Sequence, residues 1–190
     1  MDIRMLTVAC LLLLLAACGN NNRTKPTGES AAAYNEKLID RQRAFINAVN
    51  DLNAAIGNYE YEEAEKNRVR CIALCDSAIA SLKAEGPYAN DEEFWMSALK
   101  YFEAERKLYI FHWKEAFEII SSLKNQQGHD NELDIKQKRL DELATEIDRK
   151  NIKYQDDLIA AQRAFAERHQ FLLSDNTDSL PVLEDIEQEE

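Results

Sequence analysis

Glycine and proline are scarce, at five and three residues in 190. So few turn formers exclude a turn-rich all-β chain, a collagen-like repeat and a low-complexity segment. Basic charge is also short, because 23 Lys and Arg face 35 Asp and Glu, a net of −12. A phosphate backbone demands a basic face, so a general affinity for nucleic acid is excluded. Apolar runs are limited to one near the start, and 31% of residues are charged, which excludes a polytopic membrane protein. Histidine occurs only as His112, His129 and His169. A ferritin-like site needs Glu three residues before His on two helices, and here Tyr109, Gln126 and Ala166 stand there instead. A Cys-x-x-Cys-His haem motif, a nucleophile elbow, a phosphate-binding glycine loop and an EF-hand loop are missing too. The expectation is therefore a protein without a metal or other cofactor and without enzymatic activity.

What is present begins with the single apolar run over 6–17, interrupted only by Thr7. It is shorter than the roughly 20 residues of a membrane-spanning helix and has the length of a signal-peptide core. It closes on Leu15-Ala16-Ala17-Cys18-Gly19. That sequence resembles the lipobox of bacterial lipoproteins, in which small residues precede a cysteine that is lipidated and becomes the mature N-terminus. The resemblance implies a signal peptide over 1–17, cleavage before Cys18, a diacylglyceryl group on its sulfur and acylation of the new amino group. Gly19 is not the Asp that resembles an inner-membrane retention signal, so the resemblance favours the outer membrane. Residues 18–29 are polar, contain Pro26 and Gly28, and read as a flexible tether behind the lipidated cysteine.

Between the remaining glycines and prolines lie long stretches rich in Ala, Leu, Glu, Lys, Arg and Gln. Glycine favours the position just past a helix end and proline cannot continue a helix, so the spacing outlines four helices. Helix 1 is expected over about 30–56, helix 2 from Asn58 or Tyr61 to Glu85, helix 3 from about Asp91, and helix 4 over about 130–173. Each carries one apolar stripe at spacings of three and four, as in Tyr109, Trp113, Ala116, Ile120 and Leu123 of helix 3. Four such helices joined by short turns predict an all-α fold, an antiparallel up-down four-helix bundle over 30–173. The last segment, 174–190, holds seven acidic residues and neither Lys nor Arg, and reads as an acidic disordered tail.

Within that frame a few residues stand out. Cys71 and Cys75 lie one helical turn apart, where side chains project in parallel and sit too far apart to bridge. Buried free thiols are expected, with a disulfide and a metal pair as the alternatives. Helix 3 holds half of the aromatic residues. Most belong to a core stripe, while Tyr101, Tyr109, Phe111 and Trp113 are candidates for a ligand groove or an interface. Phe111 is the odd member, pointing away among Lys100, Lys107 and Lys114. Glu105 and Arg106 in helix 3 and Asn151 in helix 4 interrupt the stripes at similar heights, which predicts a polar layer that fixes register. The segments 34–45 and 154–165 echo each other in Tyr, Leu, Ile, Gln, Arg, Ala and Phe, and are expected to meet about a local two-fold.

Taken together, the chain resembles small bacterial lipoproteins with helical-bundle ectodomains. The resemblance implies a membrane-anchored envelope protein whose bundle binds another protein or acts structurally, with the membrane as its partner through Cys18. The alternative is a carrier holding a small apolar ligand in a cavity between the helices.

Overall fold

The computed structural model describes residues 27–125 and 130–173. The lipobox with Cys18, the first part of the tether and the acidic segment 174–190 lie outside the described residues. Those that are described fold into helices: α1 (Gly28–Gly57), α2 (Tyr61–Glu85), α3 (Glu92–Lys107), a π-helical turn (Leu108–His112), α4 (Trp113–Asn125) and α5 (Asp130–His169). The π turn joins α3 to α4 without a break, so the single helix 3 of the sequence reading is present with one irregular turn inside it. Among the described residues there is no strand, only an isolated bridge between Tyr88 and Asp91 in the turn before α3.

The helix ends show why these boundaries fall where they do. Thr27 caps α1: its hydroxyl accepts from the Ser30 amide at 3.2 Å while the Ser30 hydroxyl accepts from the Thr27 amide at 3.0 Å. This reciprocal box satisfies two amides that a helix start leaves unpaired. It starts α1 two residues before the expected position and takes Gly28 and Glu29 from the tether into the helix. Gly28 has a packing reason as well, since a Cβ there would lie 3.0 Å from the Gln170 carbonyl oxygen and 3.1 Å from that of His169. The start of α1 is thus pressed against the end of α5.

Gly57 is the last residue of α1, one beyond the expected end, but it does not supply the left-handed stop. The left-handed position is Tyr59, at φ 60°, and the Glu60 and Tyr59 amides bond back to the carbonyls of Ala55 and Ile56. These are the two hydrogen bonds of a Schellman stop, closed here without glycine. α5 ends the same way, with Gln170 at φ 56° and the Phe171 amide on the Ala166 carbonyl, so the helix stops four residues short of 173. Gly86, at φ 70° and ψ −178°, occupies a region that only glycine enters readily, and there the residue does mark the end of α2.

Packing follows the stripes. α1 lies on α2, α2 on α3, α3 on α5, and α5 returns to α1. Phe45, Leu52, Leu82, Phe94, Phe102 and Phe165 are all at most 2% exposed and form one continuous core with the two cysteines. Aromatic edges organise it. Phe45 of α1 meets Tyr101, Phe102 and Tyr109 edge-on at 5.7–6.2 Å, and Phe165 of α5 stacks on Phe94 at 4.8 Å. Each such pair adds about 0.5–1.5 kcal/mol beyond the area it buries. α5 has 40 residues and spans roughly 60 Å, so together with α4 it outruns the shorter α1 and α2.

Candidate functional site

The chemistry-bearing residues gather where α2 crosses the π turn. A π turn spaces its hydrogen bonds five residues apart, and here the Trp113 amide reaches the Leu108 carbonyl. In an α-helix that amide would bond Tyr109. The Tyr109 carbonyl instead accepts from Arg68 Nη1 of α2 at 2.6 Å, a buried bond. Glu65, one turn earlier on α2, grips the other edge of the guanidinium through Nε at 2.7 Å and Nη2 at 2.6 Å. The hydrogen bond to Glu65 raises the Arg68 pKa and lowers that of Glu65. Arg68 is 8% exposed, and its charge is matched by the half-exposed Glu65 carboxylate on one edge and the buried Tyr109 carbonyl on the other.

Cys71 and Cys75 follow Arg68 on the same face of α2 and are free and fully buried. Burial pushes the Cys71 thiol up to about 12 and moves Cys75 in the same direction. Thiols so raised are unreactive near neutral pH, because the nucleophile is the thiolate. Facing them from α3 is Glu105, a carboxyl only 3% exposed. Burial alone pushes its pKa up to about 8, so it is neutral through most of the physiological range. Tyr101 and Tyr109 complete the cluster, both raised by burial first and by Glu105 second.

A second polar group lies on the α5 side of the same turn. His112 Nε2 is 2.8 Å from Lys150 Nζ and 3.2 Å from Glu146 Oε2. Three buried side-chain atoms here have no partner: His112 Nδ1, Trp113 Nε1 and Asn151 Oδ1. The three residues expected to form a polar layer have separate surroundings. Glu105 points inward and Asn151 is half-buried, while Arg106 turns outward to Asp76.

Of the four aromatic candidates, Tyr101 and Tyr109 are in the core beside Phe45, Trp113 is half-buried and stacks on Tyr109 at 6.2 Å, and Phe111 is 64% exposed. The structure joins the first three and leaves Phe111 apart. The echoed segments of α1 and α5 meet at one end, where Tyr34 lies 5.9 Å from Phe165 and Gln162 donates to Asn35 at 2.8 Å in a buried bond. At the other end Phe45 turns to α3 instead. Two elements of the site had no counterpart in the sequence reading, the π turn and Arg68. An arginine in a polar stretch reads as solvated, and only its i, i+3 spacing from Glu65 hinted at a fixed position.

The end of the molecule at which α1 starts is clasped separately. Arg168 grips Asp91 through two hydrogen bonds of 2.7 and 2.9 Å and reaches Glu93 at 2.7 Å, and His169 Nε2 sits 3.0 Å from Asp91. Burial raises the Asp91 carboxyl, but the bonds from Arg168 and His169 outweigh it and hold its pKa below the usual range. Tyr88 reaches the Thr27 carbonyl at 3.1 Å and Ser30 at 2.6 Å, tying the start of α1 to the α2–α3 turn.

Two clefts lie on the surface of the described residues. One, about 290 Å³, lies between α3 and α5 beside Ser97, Lys100, Tyr154 and Asp157. The other, about 420 Å³, lies beside Phe171 and Leu172. Both open to solvent. Among the described residues no group of His, Cys, Asp and Glu is placed to hold a metal ion, and no helix is long and apolar enough to cross a membrane. Comparison with protein-family models, with curated proteins and with solved structures gave no significant match.

Proposed function

We propose that this chain is a lipid-anchored lipoprotein of the bacterial envelope, on the outer membrane, whose helical part binds another protein or acts structurally and catalyses no reaction. The observation that carries this reading is the apolar run closing on Leu15-Ala16-Ala17-Cys18. Several acyl chains on one cysteine anchor firmly, since each buried CH₂ contributes about 0.8 kcal/mol.

The reading includes an antiparallel up-down four-helix bundle. Supporting it, partners along α1 and α2 run in opposite senses, with Arg41 on Glu85 and Asp51 on Arg70. The same holds for α3 and α5, where Asp91 meets Arg168 and Ser97 meets the Asp157 carbonyl. The aromatic core and the unreactive thiols suit a rigid binding or structural module rather than a reaction centre. Acidic charge, −12 over the chain, favours solubility beside a membrane.

Replacing the anchor tests the placement. Cys18→Ser is expected to abolish incorporation of labelled palmitate and to leave the precursor unprocessed, while wild type incorporates label and sediments with the envelope. Equal labelling of the two would remove the lipoprotein reading. Crosslinking of the wild-type chain in intact cells, followed by mass spectrometry, then tests for a protein partner.

A further inference from the structure

The π turn is a point at which the sequence and the structure prefer different registers. Tyr109, Trp113, Ala116, Ile120 and Leu123 are spaced four, three, four and three apart, which is the spacing that keeps one stripe straight along an uninterrupted α-helix. With the π turn present, this stripe is imperfectly used: Tyr109 and Ala116 are buried, but Trp113, Ile120 and Leu123 are only half-buried. The same turn gathers the unpartnered atoms His112 Nδ1 and Trp113 Nε1, with Asn151 Oδ1 next to Lys150, which touches His112. Buried polar atoms without partners cost free energy in the state that contains them. What offsets that cost is Arg68, whose guanidinium donates to the Tyr109 carbonyl and is itself held along its other edge by Glu65.

We propose that the π turn is a register switch latched by the Arg68–Tyr109 hydrogen bond. With the latch closed, the turn spaces the chain five residues per bond and sets the present orientation of α4. With it open, the Trp113 amide returns to the Tyr109 carbonyl and the helix runs as α throughout. α4 then rotates by roughly 100° and advances about 1.5 Å, one residue's step of an α-helix. Trp113, Ile120 and Leu123 come into line with Tyr109, and the His112 ring leaves its present place against α5. α4 is free to do this because it extends past the ends of α1 and α2 and is gripped chiefly by α5, through the Arg139–Glu115 pair. The rotation breaks that pair and changes the face that α4 and α5 offer to solvent. The switch does not depend on lipidation, so its failure leaves the proposed function untouched.

Fluorine NMR of the full chain labelled with 5-fluorotryptophan reads the register. Trp113 and Trp95 give separate signals, assigned with Trp113→Phe. Wild type is expected to show one dominant Trp113 signal. In Arg68→Met a second Trp113 signal should hold roughly a tenth or more of the intensity, with Trp95 unmoved. Deleting Phe111, the exposed residue of the turn, removes the extra position and fixes α4 in its present orientation. In Arg68→Met it should restore a single signal at the wild-type position. An unmoved Trp113 signal in Arg68→Met would overturn the proposal, and so would a moved signal that deletion of Phe111 leaves in place. Should Arg68→Met not fold, Glu65→Gln loosens the same guanidinium: a second Trp113 signal there supports the switch, and a single unmoved one overturns it.

Discussion

A carboxyl that titrates at about 8 in the folded chain and at 4.5 when exposed binds its proton more tightly in the fold. Between those values the unfolded chain holds fewer protons at Glu105 than the folded one. Its contribution is therefore fully present below about pH 4.5 and is lost as pH rises towards 8, by an amount on the order of a few kcal/mol. The groups that face Glu105 are Cys71 and Cys75 from α2 and Tyr101 and Tyr109 from the α3 side, all raised by burial and all neutral in this window. Urea unfolding of wild type should lose stability from about pH 5 to about pH 8, and Glu105→Gln should flatten that slope. Equal slopes in the two proteins would mean that Glu105 is not the source. Asp91 and Glu85 act in the opposite sense at lower pH, because hydrogen bonds hold both carboxyls below their usual range despite burial. A different residue effect is expected at Tyr59, which closes α1 at φ 60° and is 75% exposed. Tyr59→Gly relieves the left-handed strain at little cost in packing and should stabilise the chain by about 1 kcal/mol, read as a higher midpoint in the same unfolding assay.

Among elements, α1 and α5 are joined differently from the other pairs, because their contact includes a buried amide pair, Gln162 on Asn35. Such a bond adds little net stability, but losing one partner strands the other. Gln162→Leu should cost about 1–3 kcal/mol, whereas Asn35→Leu combined with Gln162→Leu should cost less than the two single changes added together. Strict additivity in that cycle would show that the two amides do not depend on each other. Helix extents were largely readable from sequence, since long Gly- and Pro-free stretches with a stripe of period 3.6 leave few alternatives. The exceptions have physical causes. Gly86 marks a helix end because its backbone enters a region that other residues rarely adopt, whereas Gly57 lies two residues too early and Tyr59 takes the strain in its place. The π turn was hidden because the residues across it already satisfy α spacing. Arg68 was hidden because its burial depends on a carbonyl 41 positions away. Glu105 was readable as an interruption of the stripe, though Arg106 beside it turned outward to Asp76.

At the scale of the whole molecule, the two ends of the helices are built differently. At one, the Thr27 cap, the close approach of Gly28 to the end of α5 and the Asp91–Arg168–His169 clasp fix the start of α1. At the other, α4 and α5 reach past α1 and α2. An anchor on Cys18 would place the clasped end nearest the bilayer and present the α4–α5 end to the surroundings, where a partner would meet it. Both the location and the choice of presented surface rest on the anchor. The most direct test is intact-mass and peptide analysis of the full-length gene product recovered from fractionated bacteria. The expected result is a mature chain in the envelope fraction that begins at Cys18, with a diacylglyceryl group on sulfur and an acyl chain on nitrogen. A chain recovered from the cytosol with residues 1–17 attached and no acyl mass would contradict it.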